Sequence, residues 1–216
     1  MIRKNNPQQT IEKIISVSAK LFLEKGYEKT SMQDIVDALG MSKGAIFYHF
    51  KSKEEILNVV LGRQCECSKL IFYQWIEEMK GHNAKEILIG LLEKNLKNVK
   101  IQALNNLSVS LFQNPHFIVA NMQDCVNNNA PIFAKIFRDG IEDGSITTEF
   151  PDEMAEIFFL LLNVWCNPVV FECSPERLSR RYKLFQRILK LMGVDVFSDE
   201  LLEGYVRYVE ELFKST

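Results

Sequence analysis

The stretch that most constrains the chain is residues 31–53, SMQDIVDALGMSKGAIFYHFKSK. It predicts two short helices joined by a tight turn, then the start of a third. Ser31 caps the first helix, with Asp34 in the reciprocal position of a capping box. Ile35, Val36 and Leu39 give that helix an apolar face. Gly40 ends it, because the terminating residue needs a left-handed conformation that glycine takes without a Cβ penalty. Ser42 caps the second helix, Lys43 to Phe50. Ser52 caps the third, and Ser52-x-x-Glu55 is another capping box. Two helices separated by a short glycine-containing turn form a helix-turn-helix.

The second of these helices has an unusual surface. Ile46 and Phe50, at i and i+4, anchor it, leaving Lys43, Gly44, Ala45, Phe47, Tyr48 and His49 for the remainder. Gly44 and Ala45 let a backbone come close to a partner. Lys43 supplies charge, and Tyr48 and His49 supply hydrogen bonds. A merely solvated face carries Glu, Lys and Gln instead. The set suits a helix end entering a DNA major groove, with small residues near base edges and polar residues on phosphates. The competing reading is a small helical core with a polar edge. Agreement among spacing, caps and residue types favours DNA contact.

These residues carry a resemblance. S-K-G-A-I-F-Y-H-F-K-S-K-E-E-I-L is similar to the recognition-helix signature of the TetR family of one-component repressors. The preceding L-F-L-E-K-G-Y-E-K-T-S-M-Q-D-I matches that family's first-helix end and second-helix start. The match covers roughly the first quarter of the chain. The rest resembles the family only in being long, helical and apolar. The resemblance implies that Lys43, Gly44 and Ala45 face base edges, behind the cap Ser42, and that Ser31, Tyr48, His49 and Lys53 hold phosphates. Phe47 departs from a Tyr often found there: it keeps contact with a thymine methyl or sugar but has no hydroxyl for a phosphate.

The resemblance also implies a homodimer, in which the last two large helices build a four-helix bundle with the partner. Here that is about 152–170 with either 175–192 or 198–214, a choice the sequence leaves open. An effector pocket is implied too, with Phe72, Trp75, Phe112, Phe117, Phe133, Phe137 and Trp165 as candidate lining. Taken singly, each is an ordinary core residue. His116, Asn121, Gln123, Asn128 and Asn163 are candidates to orient a ligand, and surface loops explain them equally well. Few inward charges in the body favour a neutral or lipophilic effector. The function implied is a repressor released from a palindromic double-stranded operator by a small molecule. The alternatives are an effector-independent DNA-binding protein or an enzyme with an appended helix-turn-helix. Against an enzyme, the chain has no G-x-S-x-G, Walker loop, H-E-x-x-H or G-x-G-x-x-G after a strand.

Charge supports the same organisation. Residues 1–69 hold 11 Lys and Arg against 8 Asp and Glu, and the remainder holds 15 against 20. A basic segment on an acidic body is expected if one end meets phosphates. Five cysteines form no paired framework. Cys65-Glu66-Cys67 lacks a second pair or a nearby histidine, so neither metal nor other cofactor is expected. The N-terminus has no apolar h-region. The strongest apolar run, Ile157 to Phe171, is broken by Asn163, Asn167 and Pro168, short of the ~20 residues a spanning helix needs. The expectation is a cytoplasmic protein with no membrane segment.

Along the chain, Met1 to Gln9 reads as a polar arm, either frayed or lying along a minor groove. Thr10 opens a helix to about Lys25. The helix from Ser52 runs to about Tyr73 or beyond, a rigid lever leaving the head. Further helices are expected over about 84–98, 101–112 and 117–125. After a break at Asn127-Asn128-Asn129, Pro131 opens another. The last three are a nearly all-apolar helix from about 152 to 165, one from 175 to 192 with Arg177, Arg180, Arg181 and Lys183 off its apolar stripe, and one from 198. The fold class is all-α, with about nine or ten helices. An arm and three-helix head (1–51) precede a helical effector-binding and dimerisation body (52–216).

Overall fold

A computed structural model describes residues 7–98 and 110–214. Among them every regular element is helical, as the apolar spacing requires. The chain divides into two compact units, Met1–Leu70 and Ile71–Thr216.

The first unit contains α1 (Pro7–Lys25), α2 (Met32–Leu39), α3 (Lys43–His49) and the first part of α4 (Lys53–Glu78). α1 begins at Pro7, not at the cap expected at Thr10. A proline at a helix start loses no bond, because the first N–H groups have no partner within the helix. Thr10 is instead buried within the helix, beside a face of Ile14, Ile15, Ser18 and Phe22. Tyr27 turns inward, its ring edge-on to Phe22 at 5.3 Å. Ile35, Val36, Ile46, Phe50, Ile56, Leu57 and Val60 are the other buried apolar side chains among the described residues of this unit.

The second unit holds the rest of α4 and α5 (Ala84–Lys97), then a 3₁₀ turn at Ser110–Gln113 and α6 (Pro115–Asp124). α7 (Ala130–Asp143), α8 (Pro151–Leu160), α9 (Pro175–Leu191) and α10 (Asp199–Lys214) follow. The helix expected over 101–112 lies outside the described residues apart from the 3₁₀ turn. The break expected at Asn127-Asn128-Asn129 is absent. Cys125–Asn129 is a π-helical turn that joins α6 to α7 without interruption. Ala130 N–H donates to the Cys125 carbonyl five residues back, and Pro131, which has no N–H to lose, follows this widened turn. Asn128 and Asn129 donate their side-chain amides to the Asp124 carboxylate at 2.7 and 2.8 Å. The polar run that reads as a loop is thus kept helical by its own side chains. A second π turn, Leu161–Trp165, closes α8, with Cys166 N–H donating to the Leu161 carbonyl at 2.9 Å.

Phe158 is the hub of this unit's core. Its ring lies 5.3 Å from Phe133, 5.5 Å from Phe159, 5.4 Å from Phe185 and 6.2 Å from Phe197. Tyr182 and Tyr205 are buried beside them, and the Tyr205 hydroxyl donates to the Leu92 carbonyl at 3.1 Å. Arg181 corrects the sequence reading, for it lies on the buried side of α9. Its Nη1 donates to the carbonyls of Trp165 and Phe171 at 3.1 and 2.9 Å, and the guanidinium sits 5.8 Å from both rings. The segment between α8 and α9 turns carbonyls inward, and a planar delocalised cation satisfies them more cheaply than water-stripped isolation would. Gly193 ends α9 at φ 82°, and a Cβ there would come within 2.5–2.8 Å of Thr147 and Thr148, backbone included. No helix among the described residues is long and apolar enough to cross a membrane.

Candidate nucleic-acid interface

The helix-turn-helix is assembled by short-range polar contacts. Ser31 is extended (φ −99°, ψ 162°) and its Oγ accepts from Asp34 N–H at 3.1 Å, while Ser31 N–H donates to Asp34 Oδ2 at 2.7 Å. This is the complete capping box. Lys25, at the end of α1, donates to the other carboxylate oxygen at 2.6 Å. The Lys25 ammonium, then the Ser31 hydroxyl and N–H, hold the Asp34 carboxyl well below the usual carboxylate range. Gly40 ends α2 in the left-handed conformation (φ 61°), its N–H on the Asp37 carbonyl. Ser42 Oγ then accepts from Ala45 N–H at 3.3 Å, which starts α3.

Ile46 is fully buried and Phe50 nearly so. At about 100° per residue, Gly44 and Tyr48 fall opposite Ile46. Both are exposed, Tyr48 to 76%. Ser42 and Lys43 are exposed as well, while Ala45, Phe47 and His49 are half-buried. Tyr48 and His49 meet edge to face at 5.0 Å, and the Lys43 ammonium lies 5.6 Å from the Phe47 ring. A Cβ built on Gly44 meets nothing within 4 Å. Nothing within reach of a Cβ therefore requires glycine there.

Two lysines between α3 and the start of α4 make bonds that the sequence does not announce. Lys51 went unnoticed. Its Nζ donates to the Phe47 carbonyl at 2.9 Å and closes the C-terminus of α3, a role that a lysine just past a helix end signals. Lys53 Nζ donates to the Tyr27 carbonyl at 2.7 Å and lies 4.0 Å over the Tyr27 ring, which ties the start of α4 to the α1–α2 turn. The expected capping box at Ser52 is only half formed. Glu55 N–H donates to Ser52 Oγ at 3.1 Å, but the Glu55 carboxylate accepts from Lys51 N–H, one residue earlier, at 2.6 Å.

The seven aromatic residues put forward as pocket lining fall into three places. Phe72, Trp75, Phe133 and Phe137 share one chain of ring contacts at 5.3–6.4 Å in the body core. Phe112 and Phe117 form a separate edge-to-face pair at 5.0 Å. Trp165 packs against the core beside Arg181. A recess of about 300 Å³ is lined by Trp75, Glu93, Lys94, Lys97 and Asn98, so it uses only Trp75 from the set. Of the polar candidates, Asn163 Nδ2 lies 3.8 Å from Cys125 Sγ, and that thiol lies 3.9 Å from Asn121 Oδ1. This contact joins the two π turns. Gln123 and Asn128 are exposed, and the His116 side chain lies outside the described residues.

Comparison with known proteins agrees with this geometry. The family described as bacterial regulatory proteins, tetR family, matches residues 14–60. The chain is 44% identical over 141 residues to the HTH-type transcriptional regulator QacR of Staphylococcus aureus, covering 62% of this chain and 71% of QacR. It is 38% identical over 92 residues to the HTH-type transcriptional regulator YerO of Bacillus subtilis, covering 43% of this chain. It spans only 29% of YerO's length, and 39% of that of YwcC from the same organism. Among solved structures, a transcriptional regulator of the TetR/AcrR family from Thermobifida fusca superposes with a TM-score of 0.57 at 26% identity, covering 91% of this chain and 98% of that one. The chain belongs to the TetR family of bacterial regulatory proteins.

Proposed function

We propose that the protein is a cytoplasmic, homodimeric DNA-binding repressor that a small-molecule effector releases from a palindromic operator. The observation that carries this reading is α3. It buries Ile46 and Phe50 and presents Lys43, Gly44 and Tyr48 outward, with open space around Gly44. Lys43, Gly44 and Ala45 read base edges behind the cap Ser42, and Phe47 packs on a methyl or sugar. Tyr48, His49 and Ser31 hold phosphates. Lys53 joins them by exchanging the Tyr27 carbonyl for a phosphate oxygen. On this reading 1–51 is the DNA-binding part and 52–216 the effector and dimerisation part. No residue is assigned a catalytic role.

One such helix reads only a few base pairs, so specificity needs two of them on half-sites roughly 34 Å apart. The dimer forms through α8 and α9. α9 leaves Leu184 49% and Leu191 76% exposed, and α8 leaves Ile157 41% exposed. α10 turns Glu203, Arg207 and Glu211 outward instead. Exposed leucines on a surface helix favour coverage by a second subunit, so this reading takes 175–192 rather than 198–214. The effector favours a body arrangement in which the two heads no longer match the operator, a population shift that requires different affinities for the two states.

The test is fluorescence anisotropy of the purified protein on DNA from upstream of its own gene, against a scrambled duplex, across a salt series. The expected result is two protomers per site, preference for the upstream DNA, and a salt slope reporting several phosphate contacts. Equal weak binding to this duplex and to a panel of genomic fragments would overturn the reading.

A further inference from the structure

The segment that leads from the second π turn to α9 carries a cysteine at each end, Cys166 and Cys173. It folds back on itself. Asn167 is buried, its Oδ1 accepts from Val169 N–H at 2.9 Å, and its carbonyl accepts from Phe171 N–H at 3.0 Å. Arg181 then gathers both ends. The same Nη1 that donates to the Trp165 and Phe171 carbonyls donates to Cys173 Sγ at 3.4 Å. Cys166 is fully buried. Burial pushes its thiol up to about 12, with Arg181 acting against that shift and the Cys173 sulfur adding to it. Both sulfurs therefore lie within electrostatic reach of one guanidinium and of each other.

The two thiols differ in what they can do. Cys173 is half-buried, so a small oxidant reaches it. The cation at its sulfur supports negative charge on that sulfur or on an oxygen bonded to it. Cys166 is closed to solvent and stays a thiol until a sulfur is presented to it from inside the protein. Thiol pairs of a reducing compartment are oxidised transiently, not for structure. We propose that Cys173 and Cys166 are a peroxide-oxidised thiol pair: Cys173 takes the oxygen, Cys166 resolves it to an intrachain disulfide, and Arg181 positions the Cys173 sulfur. In the first step the Cys173 thiolate attacks one peroxide oxygen. The S–O bond forms, the O–O bond breaks, and the departing hydroxide takes up the proton that Cys173 released. In the second step the Cys166 sulfur attacks the sulfenic sulfur. The S–S bond forms, the S–O bond breaks, and the Cys166 proton leaves with the oxygen as water. Two thiols and one hydrogen peroxide thus give one disulfide and two waters. The disulfide takes Cys173 off Arg181 and ties the end of the π turn to the start of α9. The site does not depend on the DNA-binding reading.

The test is hydrogen peroxide on the reduced full chain, followed by quenching, thiol alkylation, trypsin and peptide mass spectrometry. Both thiols fall in one tryptic peptide, 139–177. Exposed Cys67, read from fragment ions of peptide 64–69, is the internal standard. The expected result is that peptide 139–177 loses two hydrogens and closes to alkylation at least about tenfold faster than Cys67 is oxidised. Dithiothreitol reverses it. In Cys166→Ser, dimedone traps a sulfenic acid on Cys173. In Cys173→Ser, Cys166 stays reduced. In urea that unfolds the chain, the advantage over Cys67 disappears, because the Arg181 contact is gone. The wild-type comparison, folded against unfolded, stands without the variants. Oxidation of Cys173 no faster than that of Cys67 overturns the proposal. So does an advantage that persists in urea, which belongs to the local sequence and not to Arg181. A wild type in which Cys173 is oxidised while Cys166 stays alkylatable removes the resolving step and the pair with it.

Discussion

The two units of this protein are held by different kinds of interaction. In the first, order is local and polar: Ser31 with Asp34, Gly40 with Asp37, Ser42 with Ala45 and Lys51 with Phe47 each act within four residues. In the second, order is long-range and aromatic, with Phe158 touching rings from α7, α9 and the segment before α10. The contrast has a functional logic. A surface that reads another molecule leaves its side chains unspent, so it is shaped by caps and turns. On the proposed function the body carries a two-state response, which a packed core suits because packed cores switch between arrangements and do not deform smoothly.

The largest effect should come from the hub. Phe158→Ala removes the ring that joins four others and should cost about 3–5 kcal/mol of stability, measured by urea unfolding of the full chain. A loss below about 1 kcal/mol would mean that the aromatic chain is redundant and that the contrast between the units is weaker than drawn.

The interface comes next. Lys43→Ala should flatten preference at particular base pairs, at about 1–3 kcal/mol of discrimination. Tyr48→Ala should weaken binding by a similar factor on every operator variant. The two are compared on one panel of duplexes by anisotropy. The same pattern for both would remove the division between base-reading and phosphate-holding residues.

The same contrast decides what could be read from sequence. The caps at Ser31 and Ser42 and the stop at Gly40 are legible because a cap acts within a few residues of itself. The two π turns were not. Asn127-Asn128-Asn129 is a turn by composition, and only the reach of Asn128 and Asn129 back to Asp124, with a covering core, keeps it helical. Arg181 reads as lying off the apolar stripe because the carbonyls it satisfies belong to a loop whose path the sequence does not specify. The resemblance puts Lys53 on a phosphate, and nothing in the local sequence announces its bond to the Tyr27 carbonyl 26 residues away. Local chemistry announces itself, and long-range acceptors do not.

A third test concerns acid. The Asp34 carboxyl is held below its ordinary range by Lys25 and Ser31. A carboxylate with a depressed folded-state pKa stabilises above the unfolded value of about 4, and that contribution fades as pH falls from there towards the folded value. Asp34→Asn should therefore be less stable than wild type at neutral pH, with the gap closing as pH drops below about 4. Unfolding midpoints measured from pH 7 to pH 2 check this. A gap independent of pH would show that Asn fails for geometric reasons and that the charge on the cap is incidental.

The smallest effect is the most discriminating. Gly44→Ala adds one methyl group to the exposed side of α3, where it meets nothing. Helix propensity alone should then raise stability by about 0.5–1 kcal/mol. If Gly44 is there to let the backbone approach a base edge, the same substitution should weaken operator binding at every salt concentration while the salt slope stays unchanged, because no phosphate contact is lost. The two readouts move in opposite directions, which separates a residue chosen for the fold from one chosen for a partner. Stability and affinity rising together would place Gly44 outside the contact surface and shift base reading to Lys43 and Ala45.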